Sequence, residues 1–326
     1  MTQLLTSALA NLNSDDLMAT LLVNQKQKPP STLIEQPIEL PIELVVFSDL
    51  VVEQLLHLAD YCQLSLVKLN RVYSTNKHTS YHFSVQCKQF DNAVAKLALF
   101  SQQHQLEAAL LKEAPRLKEI GLLVMDMDST TIQIECIDEI AALAGVGQQV
   151  AEVTELAMQG KLDFAQSLHQ RVAKLAGAPE SILTDVANNL PLMPGLKILI
   201  AELKQQGWRI AIASGGFTYF AEHLKKQLNL DDVFANQLEI IEGKLTGKVL
   251  GNVIDAQAKA ETIALLQKKY QIDQQQTVAI GDGANDLLMM KQAQLGVAFH
   301  AKPIVLAQAS ACIHQAGLDC LLHWLK

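Results

Sequence analysis

Residues 121–130 read GLLVMDMDST, a mostly apolar run that passes without a break into two aspartates one residue apart. A short apolar run of this kind predicts a buried strand. The same pattern returns three times, as WRIAIA before SGGF, QTVAI before GDGAND and LGVAF before HAKP. Amphipathic segments lie between these runs, so strands alternate with helices. The chain from about residue 116 to 326 is therefore predicted to form an α/β domain with a parallel sheet.

The polar clusters mark the edge of this sheet at which ligands are expected, because open parallel sheets bind ligands beyond the carboxyl ends of their strands. Asp126 and Asp128 follow one strand, and Asp282, Asn285 and Asp286 follow another. Carboxylate and amide oxygens of this kind suit Mg²⁺. The net charge is −8, so an anionic ligand has to be attracted locally by a metal ion or by a few placed cations.

Two further features predict such local attraction. Ser214 and Gly215, which are followed by Gly216, come directly after a strand and offer a hydroxyl and unobstructed backbone N–H groups to anionic oxygens. Lys259 lies in a helical region before the third strand and could reach the same oxygens as a point charge.

Two insertions interrupt the alternation of strands and helices. Between about residues 132 and 190, four helical segments follow one another without a strand, which predicts a helical cap over the sheet edge. Residues 236–251 predict a β-hairpin that turns at Glu242-Gly243.

The N-terminal third of the chain has a different organisation. Residues 1–41 are predicted to be a loosely helical segment followed by a proline-rich linker. Residues 42–115 show the order βαββαβ of the ferredoxin-like split pattern, which predicts a small α+β domain. This domain resembles the ligand-binding ACT-type modules attached to amino-acid enzymes, although the fold by itself names no function.

Composition excludes several classes of protein. No apolar run approaches the ~20 residues that span a bilayer, and residues 1–19 lack the basic start of a secretory signal, so we expect a cytoplasmic protein without membrane partners. The sequence has no run of Lys and Arg residues of the kind that would indicate a nucleic-acid-binding surface. The five scattered cysteines predict reduced thiols rather than disulfides or a zinc site. The signatures of P-loop NTPases and serine hydrolases are missing from the sequence.

Taken in order, DMDST, Ser214, Lys259 and GDGANDLLM resemble the four motifs of the haloacid dehalogenase (HAD) superfamily of phosphatases. The stretches ECIDEIA (135–141), GKLDFAQSLHQRV (160–172) and ANQLEIIEGKLTG (235–247) are similar to its phosphoserine phosphatase branch. The resemblance covers about residues 120 to 326. It implies a HAD-like Rossmannoid parallel sheet with a helical cap and Mg²⁺-dependent hydrolysis of O-phospho-L-serine, which makes L-serine.

The resemblance also implies roles for the residues of the sheet edge. Asp126 would be the nucleophile that forms an aspartyl-phosphate, and Asp128 the general acid and then the general base. Mg²⁺ would be held by the Asp126 side chain, the Asp128 backbone carbonyl and Asp282. Asn285 would contact the substrate and support the metal waters, and Asp286 would support the lysine.

The remaining implied roles concern substrate binding. Ser214, Gly215 and Lys259 would hold the phosphoryl oxygens. In the cap, Glu135 would bind the substrate ammonium group and Arg171 its carboxylate. Met158 and Phe164 would line the pocket.

Alternatives stay open at this point. The same chemistry could act on another small phosphomonoester, or transfer phosphate to another alcohol. The N-terminal module could also make the protein a regulatory amino-acid sensor, although a protein that only binds has little use for Asp128. A monomer and a homodimer are equally compatible with the sequence.

Overall fold

The computed structural model describes residues 42–47, 50–75 and 77–326. The segment and linker predicted for residues 1–41 lie outside the described residues. The chain forms two compact units, one made of residues up to Arg116 together with Val297–Lys326, the other of Leu117–Gly296.

The first unit begins with a small α+β layer pair. Its elements are β1 (Ile42–Phe47), α1 (Val52–Tyr61), β2 (Ser65–Ser74), β3 (Thr79–Gln86), α2 (Phe90–His104) and β4 (Ala108–Lys112). The strands form an antiparallel sheet in the order β2-β3-β1-β4. The predicted βαββαβ order is confirmed, while the likeness to ACT modules stays a prediction.

Strand β1 shows why this layer pair is stable. All six of its residues are buried. Leu44 and Val46, which lie on the same face of the strand, belong to one hydrophobic cluster with Leu55, Leu58 and Phe100 from the two helices. The apolar residues on this face of β1 therefore pack against the apolar faces of both helices.

The second unit contains the parallel sheet and the cap. It begins with β5 (Leu122–Met125) and the four cap helices α3 (Cys136–Leu143), α4 (Gly147–Met158), α5 (Phe164–Lys174) and α6 (Ser181–Ala187). It continues with α7 (Leu196–Gln205), β6 (Arg209–Phe217), α8 (Thr218–Leu228), β7 (Asp232–Ile241), β8 (Lys244–Leu250), α9 (Ala256–Tyr270), β9 (Thr277–Gly281) and α10 (Leu287–Gln292). The helical cap predicted from the sequence is confirmed.

The strands of the second unit lie in the order β9-β5-β6-β7-β8. All neighbours are parallel except β7 and β8. Strand β5 lies between β6 and β9, and its four residues are all buried. A strand covered on both faces needs an unbroken apolar run, which is why LLVM shows no alternation. The chain leaves the sheet after one more bond, from Asp126 N to Ile280 O at 2.9 Å.

The predicted hairpin is also confirmed. Strands β7 and β8 are antiparallel, and their last pair is Ile241 with Lys244. Glu242 and Gly243 form the turn with φ of 50° and 71°. Two successive positive φ angles are what a two-residue type I′ turn requires.

The C-terminal segment completes the first unit. The chain enters it within β10 (Leu295–Phe299), and α11 (Pro303–Leu306), β11 (Ala311–Ile313) and α12 (Leu321–Trp324) follow. The Glu107 carboxylate accepts hydrogen bonds from the backbone N–H groups of His314, Gln315 and Ala316 at 3.1, 2.6 and 2.8 Å. The sequence places residues 297–326 in the phosphatase domain, whereas here they group with residues 42–116. The domain boundaries therefore stay a proposal.

None of the helices in the described residues has the length and apolar character needed to cross a membrane. All five cysteines are free thiols, and four of them are buried.

Close packing at the start of β5 gives a first prediction. A Cβ added at Gly121 would lie 2.7 Å from Cε2 of the Trp208 ring, which is buried. We expect Gly121→Ala to lower the free energy of unfolding by about 1–3 kcal/mol, the usual cost of overpacking. Urea unfolding measures this change.

Gly147→Ala is the matched control. The atom nearest to a Cβ added at Gly147 is 3.7 Å away, and this residue begins helix α4. Its substitution should be neutral or stabilising, since alanine favours helix. Equal losses of stability in the two variants would contradict the packing argument.

Candidate active site

The two aspartates of DMDST lie on a loop that has left the sheet. Met127 between them is fully buried, whereas Asp126 and Asp128 both line a cavity at the carboxyl edge of the sheet. Met127 O accepts hydrogen bonds from the N–H groups of Thr131 and Ile132 at 2.8 and 3.0 Å. This tight turn holds the two carboxylates on the same side of the chain.

The cavity has a volume of about 130 Å³. It is lined by Asp126, Asp128, Glu135, Ile137, Phe164, Leu168, Arg171, Ser214, Gly215, Gly216, Phe217, Asp282, Gly283 and Asn285. Nine of the twelve site residues predicted from the sequence belong to this lining. Lys259 and Asp286 contact it from behind, as described below, and Met158 is the exception.

Lys259 is the central cation of the site. Its side chain is 1% exposed, and Nζ lies 2.8 Å from Asp126 Oδ1 and 2.8 Å from Asp286 Oδ1. Asp255 caps the start of helix α9, because its side chain accepts a hydrogen bond from Ala258 N at 2.9 Å. Lys259 therefore lies in the first turn of the helix. Burial alone lowers the pKa of Lys259, but the two carboxylates outweigh it and raise the pKa, so the ammonium stays charged.

The carboxylates repel one another in spite of this lysine. Burial and the charge of Asp286 raise the pKa of Asp126 well above its ordinary value, and the ion pair with Lys259 opposes the rise. Burial, Asp286 and Glu135 raise the pKa of Asp282 to about 6. The site thus holds an excess of negative charge that a cation would relieve.

Three of these carboxylates are close enough to share a metal ion. One oxygen from each of Asp126, Asp282 and Asp286 lies within 4.8 Å of the other two. Asp286 uses Oδ1 for Lys259 and Oδ2 for the Gly283 N–H at 3.0 Å, so it is better suited to hold the lysine than a metal. Hard carboxylate oxygens with excess negative charge fit a divalent cation such as Mg²⁺.

Asp128 is held differently from Asp126. Its Oδ1 accepts a hydrogen bond from the Cys136 N–H at the start of helix α3, at 3.0 Å. Burial, followed by the charge of Glu135, raises the pKa of Asp128 to about 7. Both protonation states of Asp128 are therefore accessible near neutral pH.

The Ser214-Gly215-Gly216 loop approaches its neighbours closely. Ser214 is 1% exposed, and its Oγ accepts a hydrogen bond from the Gly216 N–H at 2.9 Å. A Cβ added at Gly215 would lie 2.5 Å from Phe164 Cζ, and one added at Gly216 would lie 2.5 Å from Asp128 Oδ2. Only glycine leaves room for both the cap and the aspartate.

Asn236 holds this loop in place, and sequence reasoning missed it. The side chain is 1% exposed, donates to Gly215 O at 2.8 Å and accepts from the Ile254 N–H at 2.8 Å. It thereby ties the glycine loop to the segment that leads into helix α9. A single asparagine in a strand carries no signal that would have revealed this role.

The cap contributes one face of helix α5. Phe164, Leu168 and Arg171 follow the helical spacing i, i+4, i+7, and all three line the cavity. The helix begins after Asp163, which forms a capping box with Gln166. Leu168 was missed from the sequence, although this spacing on the face that carries Phe164 and Arg171 could have indicated it.

Two opposite charges of the cap face the cavity. Glu135 accepts a hydrogen bond from the Ser129 hydroxyl at 2.7 Å, and this bond opposes the rise in the pKa of Glu135 that desolvation causes. Arg171 has a buried Nε without a hydrogen-bond partner among the described residues. Burial lowers its pKa, and the nearby carboxylates of Asp138 and Glu135 oppose that shift. A guanidinium group beside a cavity with its Nε unpartnered is suited to bind an anionic group.

Met158 is placed elsewhere than the sequence predicts. It is the last residue of helix α4, its side chain is 73% exposed, and it does not belong to the lining given above. Its role in the pocket stays a prediction. The apolar lining here comes instead from Phe164 and from Ile137, Leu168 and Phe217, which the sequence did not single out.

Comparison with known proteins identifies the class. A model of the haloacid dehalogenase-like hydrolase family matches residues 120–294, and the chain belongs to this family. It is 59% identical over 221 residues to the phosphoserine phosphatase of Vibrio cholerae, in an alignment that covers 67% of each chain.

Solved structures give the same result. The crystal structure of a probable phosphoserine phosphatase from Vibrio cholerae, in unliganded form, matches with a TM-score of 0.73 and 44% identity, over 94% of this chain and 92% of that chain. A substrate-bound phosphoserine phosphatase complex matches with a TM-score of 0.60 and 41% identity, over 64% of this chain and 99% of that chain.

The buried ion pairs give a second prediction. Lys259→Met removes the cation between Asp126 and Asp286 and leaves two buried carboxylates unpaired. We expect it to lower the free energy of unfolding by about 3–5 kcal/mol when divalent cations are removed with EDTA. Urea unfolding in EDTA measures the loss.

Lys268→Met on the same helix is the control. Lys268 is exposed, so its substitution should change stability by less than about 0.5 kcal/mol. A Lys259→Met variant as stable as this control would show that the two ion pairs do not stabilise the fold.

Proposed function

We propose that this chain hydrolyses O-phospho-L-serine to L-serine and inorganic phosphate. One observation carries the proposal: a single cavity presents Asp126 and Asp128 on its sheet side and the opposite charges of Glu135 and Arg171 on its cap side. A phosphorylated amino acid has a phosphoryl group, an ammonium group and a carboxylate. The substrate-bound phosphoserine phosphatase that this chain resembles supports the same assignment.

Asp126 is the proposed nucleophile. The hydrogen bond from Met127 N at 2.7 Å and the contact with Lys259 at 2.8 Å are both made by Oδ1, so Oδ2 is suited to attack the phosphorus. A bond forms between this oxygen and phosphorus, and the bond from phosphorus to the serine oxygen breaks. The product of this step is an aspartyl-phosphate.

Asp128 is the proposed proton carrier. In its protonated form it gives the proton to the departing serine oxygen. As a carboxylate it then takes a proton from the water that attacks phosphorus, the bond from phosphorus to Asp126 breaks, and phosphate leaves. The pKa of about 7 agrees with a group that has to exchange its proton in both directions.

The phosphoryl oxygens need donors that do not have to reorganise. Lys259 has three N–H bonds, and Asp126 and Asp286 occupy two of them, so the third is available to a phosphoryl oxygen. The Ser214 hydroxyl and the Gly215 N–H lie at the same cavity, and Asn236 fixes their loop. Asn285 also lines the cavity.

We further propose that Mg²⁺ binds between Asp126 and Asp282, with the backbone carbonyl of Asp128 as a third ligand. The excess negative charge and the hard oxygen donors favour this ion. When bound, Mg²⁺ offsets the repulsion between an anionic nucleophile and an anionic phosphoryl group. Thr130 orients Asp282 through a hydrogen bond from its hydroxyl at 3.1 Å.

Substrate preference tests the function. We expect purified protein with Mg²⁺ to release phosphate from phosphoserine with a higher kcat/KM than from phosphoethanolamine, which lacks the carboxylate, or from a sugar phosphate. Arg171→Ala should lower kcat/KM for phosphoserine by roughly 10- to 100-fold, the worth of a charge-assisted contact, and leave phosphoethanolamine nearly unchanged.

Lys174→Ala is the matched control, since Lys174 is an exposed cation on the same helix. It should leave both substrates unaffected. A wild type that prefers the sugar phosphate would move the function to another small phosphomonoester. Equal losses of kcat/KM for phosphoserine and phosphoethanolamine would show that Arg171 does not bind the carboxylate.

Metal binding can be tested without activity. At 100 times its Kd, Mg²⁺ should stabilise the folded protein by about 2.7 kcal/mol, seen as a rise in Tm. Asp282→Asn should abolish most of this rise because it removes a ligand charge. Asp185→Asn, at an exposed position on helix α6, should respond like the wild type. A full Mg²⁺ response in Asp282→Asn would place the ion elsewhere.

A further inference from the structure

Ser129, the fourth residue of DMDST, has a backbone conformation that serine rarely adopts. Its φ is +55°, in the left-handed region that glycine and asparagine enter most easily. A residue with a side chain persists there only when its surroundings favour it. An interaction of the serine side chain is therefore expected to stabilise this strained conformation.

The side chain makes one contact with the candidate substrate site. The Ser129 hydroxyl donates a hydrogen bond to Glu135 Oε1 at 2.7 Å. The backbone supports the contact, because the Ser129 N–H bonds to Ile134 O at 3.3 Å and the Cys136 N–H bonds to Asp128 Oδ1 at 3.0 Å. These two bonds close the loop, so that Ser129 and Glu135 face each other across it.

Glu135 has little else to fix its carboxylate. It is the residue before helix α3, but its side chain caps none of the helix N–H groups. It lines the cavity and stays accessible to solvent. Among the described residues, the hydroxyl of Ser129 is the side-chain donor that holds it.

We propose that Ser129 is a positioning residue that orients Glu135 for the ammonium group of the substrate. The hydroxyl occupies Oε1 and leaves Oε2 to the ammonium group. A carboxylate that is already oriented loses less conformational freedom when the substrate binds. This inference rests on the proposed function, because it assigns Glu135 to the amino group of phosphoserine.

A purely structural role makes the opposite prediction. If Ser129 only shaped the loop, glycine would serve as well at φ of +55°, and substrate choice would not change. The positioning role requires the hydroxyl itself. It predicts losses limited to substrates that carry an ammonium group.

The test compares Ser129→Ala and Ser129→Gly with Gln271→Gly. Gln271 follows helix α9, is exposed and has the same φ of +55°, so its replacement by glycine relieves strain away from the site. Three substrates are used: phosphoserine, phosphoethanolamine, and 3-phosphoglycerate, which has a hydroxyl in place of the ammonium group of phosphoserine.

Both Ser129 variants should raise KM for phosphoserine and phosphoethanolamine by about 10-fold, with kcat changed less, because a hydrogen bond to a charged group is lost. Turnover of 3-phosphoglycerate should stay within about twofold of the wild type, and Gln271→Gly should leave all three substrates unchanged. Ser129→Gly should melt at or above the temperature of Ser129→Ala, since only glycine relieves the strain.

Three outcomes would overturn the inference. Equal losses on all three substrates would mean that Ser129 acts on Asp128 and the chemistry. Unchanged KM values in both Ser129 variants would leave the hydroxyl without a role. A wild type that does not hydrolyse phosphoserine at all would refute the proposed function before any variant is compared, and this inference with it.

Discussion

The buried ammonium group of Lys259 is the constraint on which the site depends. A lysine that is 1% exposed is stable only if carboxylates surround it, and here Asp126 and Asp286 lie 2.8 Å from Nζ. These two acids follow different strands, β5 and β9, which are neighbours in the sheet. The parallel sheet brings their loops together, and helix α9 delivers the lysine between them. The same arrangement of sheet and helix therefore fixes both the proposed nucleophile, Asp126, and the cation that pairs with it.

Around Lys259, the sheet edge and the cap contribute different kinds of groups to the cavity. The sheet edge contributes groups that any phosphomonoester needs: the two aspartates, the lysine and the Ser214-Gly215 loop. The cap contributes Glu135 and Arg171, whose charges match an amino acid. Gly215 lies so close to Phe164 that an added Cβ would clash. The cap thus begins directly at the Ser214-Gly215 loop. If this loop binds the phosphoryl group as proposed, little space remains for a substrate much larger than phosphoserine.

The sequence predicted which polar residues lie at the cavity better than which apolar residues line it. Apolar strands that end in polar clusters are recognisable because side chains in a buried parallel sheet have one environment, so the placement of Asp126 and Asp282 followed from position alone. Side-chain direction at the end of a helix has no such constraint, and Met158 lies in solvent instead of the cavity. Asn236 and the positive φ of Ser129 depend on contacts between distant segments, which no local pattern encodes.

Contacts between distant segments also explain why the C-terminal segment groups with the first unit. Its strand LGVAF follows the pattern of the sheet that precedes it, so the sequence favoured a domain that continues to residue 326. Polar contacts link the last residues of the chain to the first unit as well, and buried polar groups require such partners. The Ser80 hydroxyl, fully buried in β3, lies 2.8 Å from His323 Nδ1, and Arg71 donates to Leu325 O at 2.5 Å. These two contacts tie the end of the chain to strands β2 and β3 of the first unit.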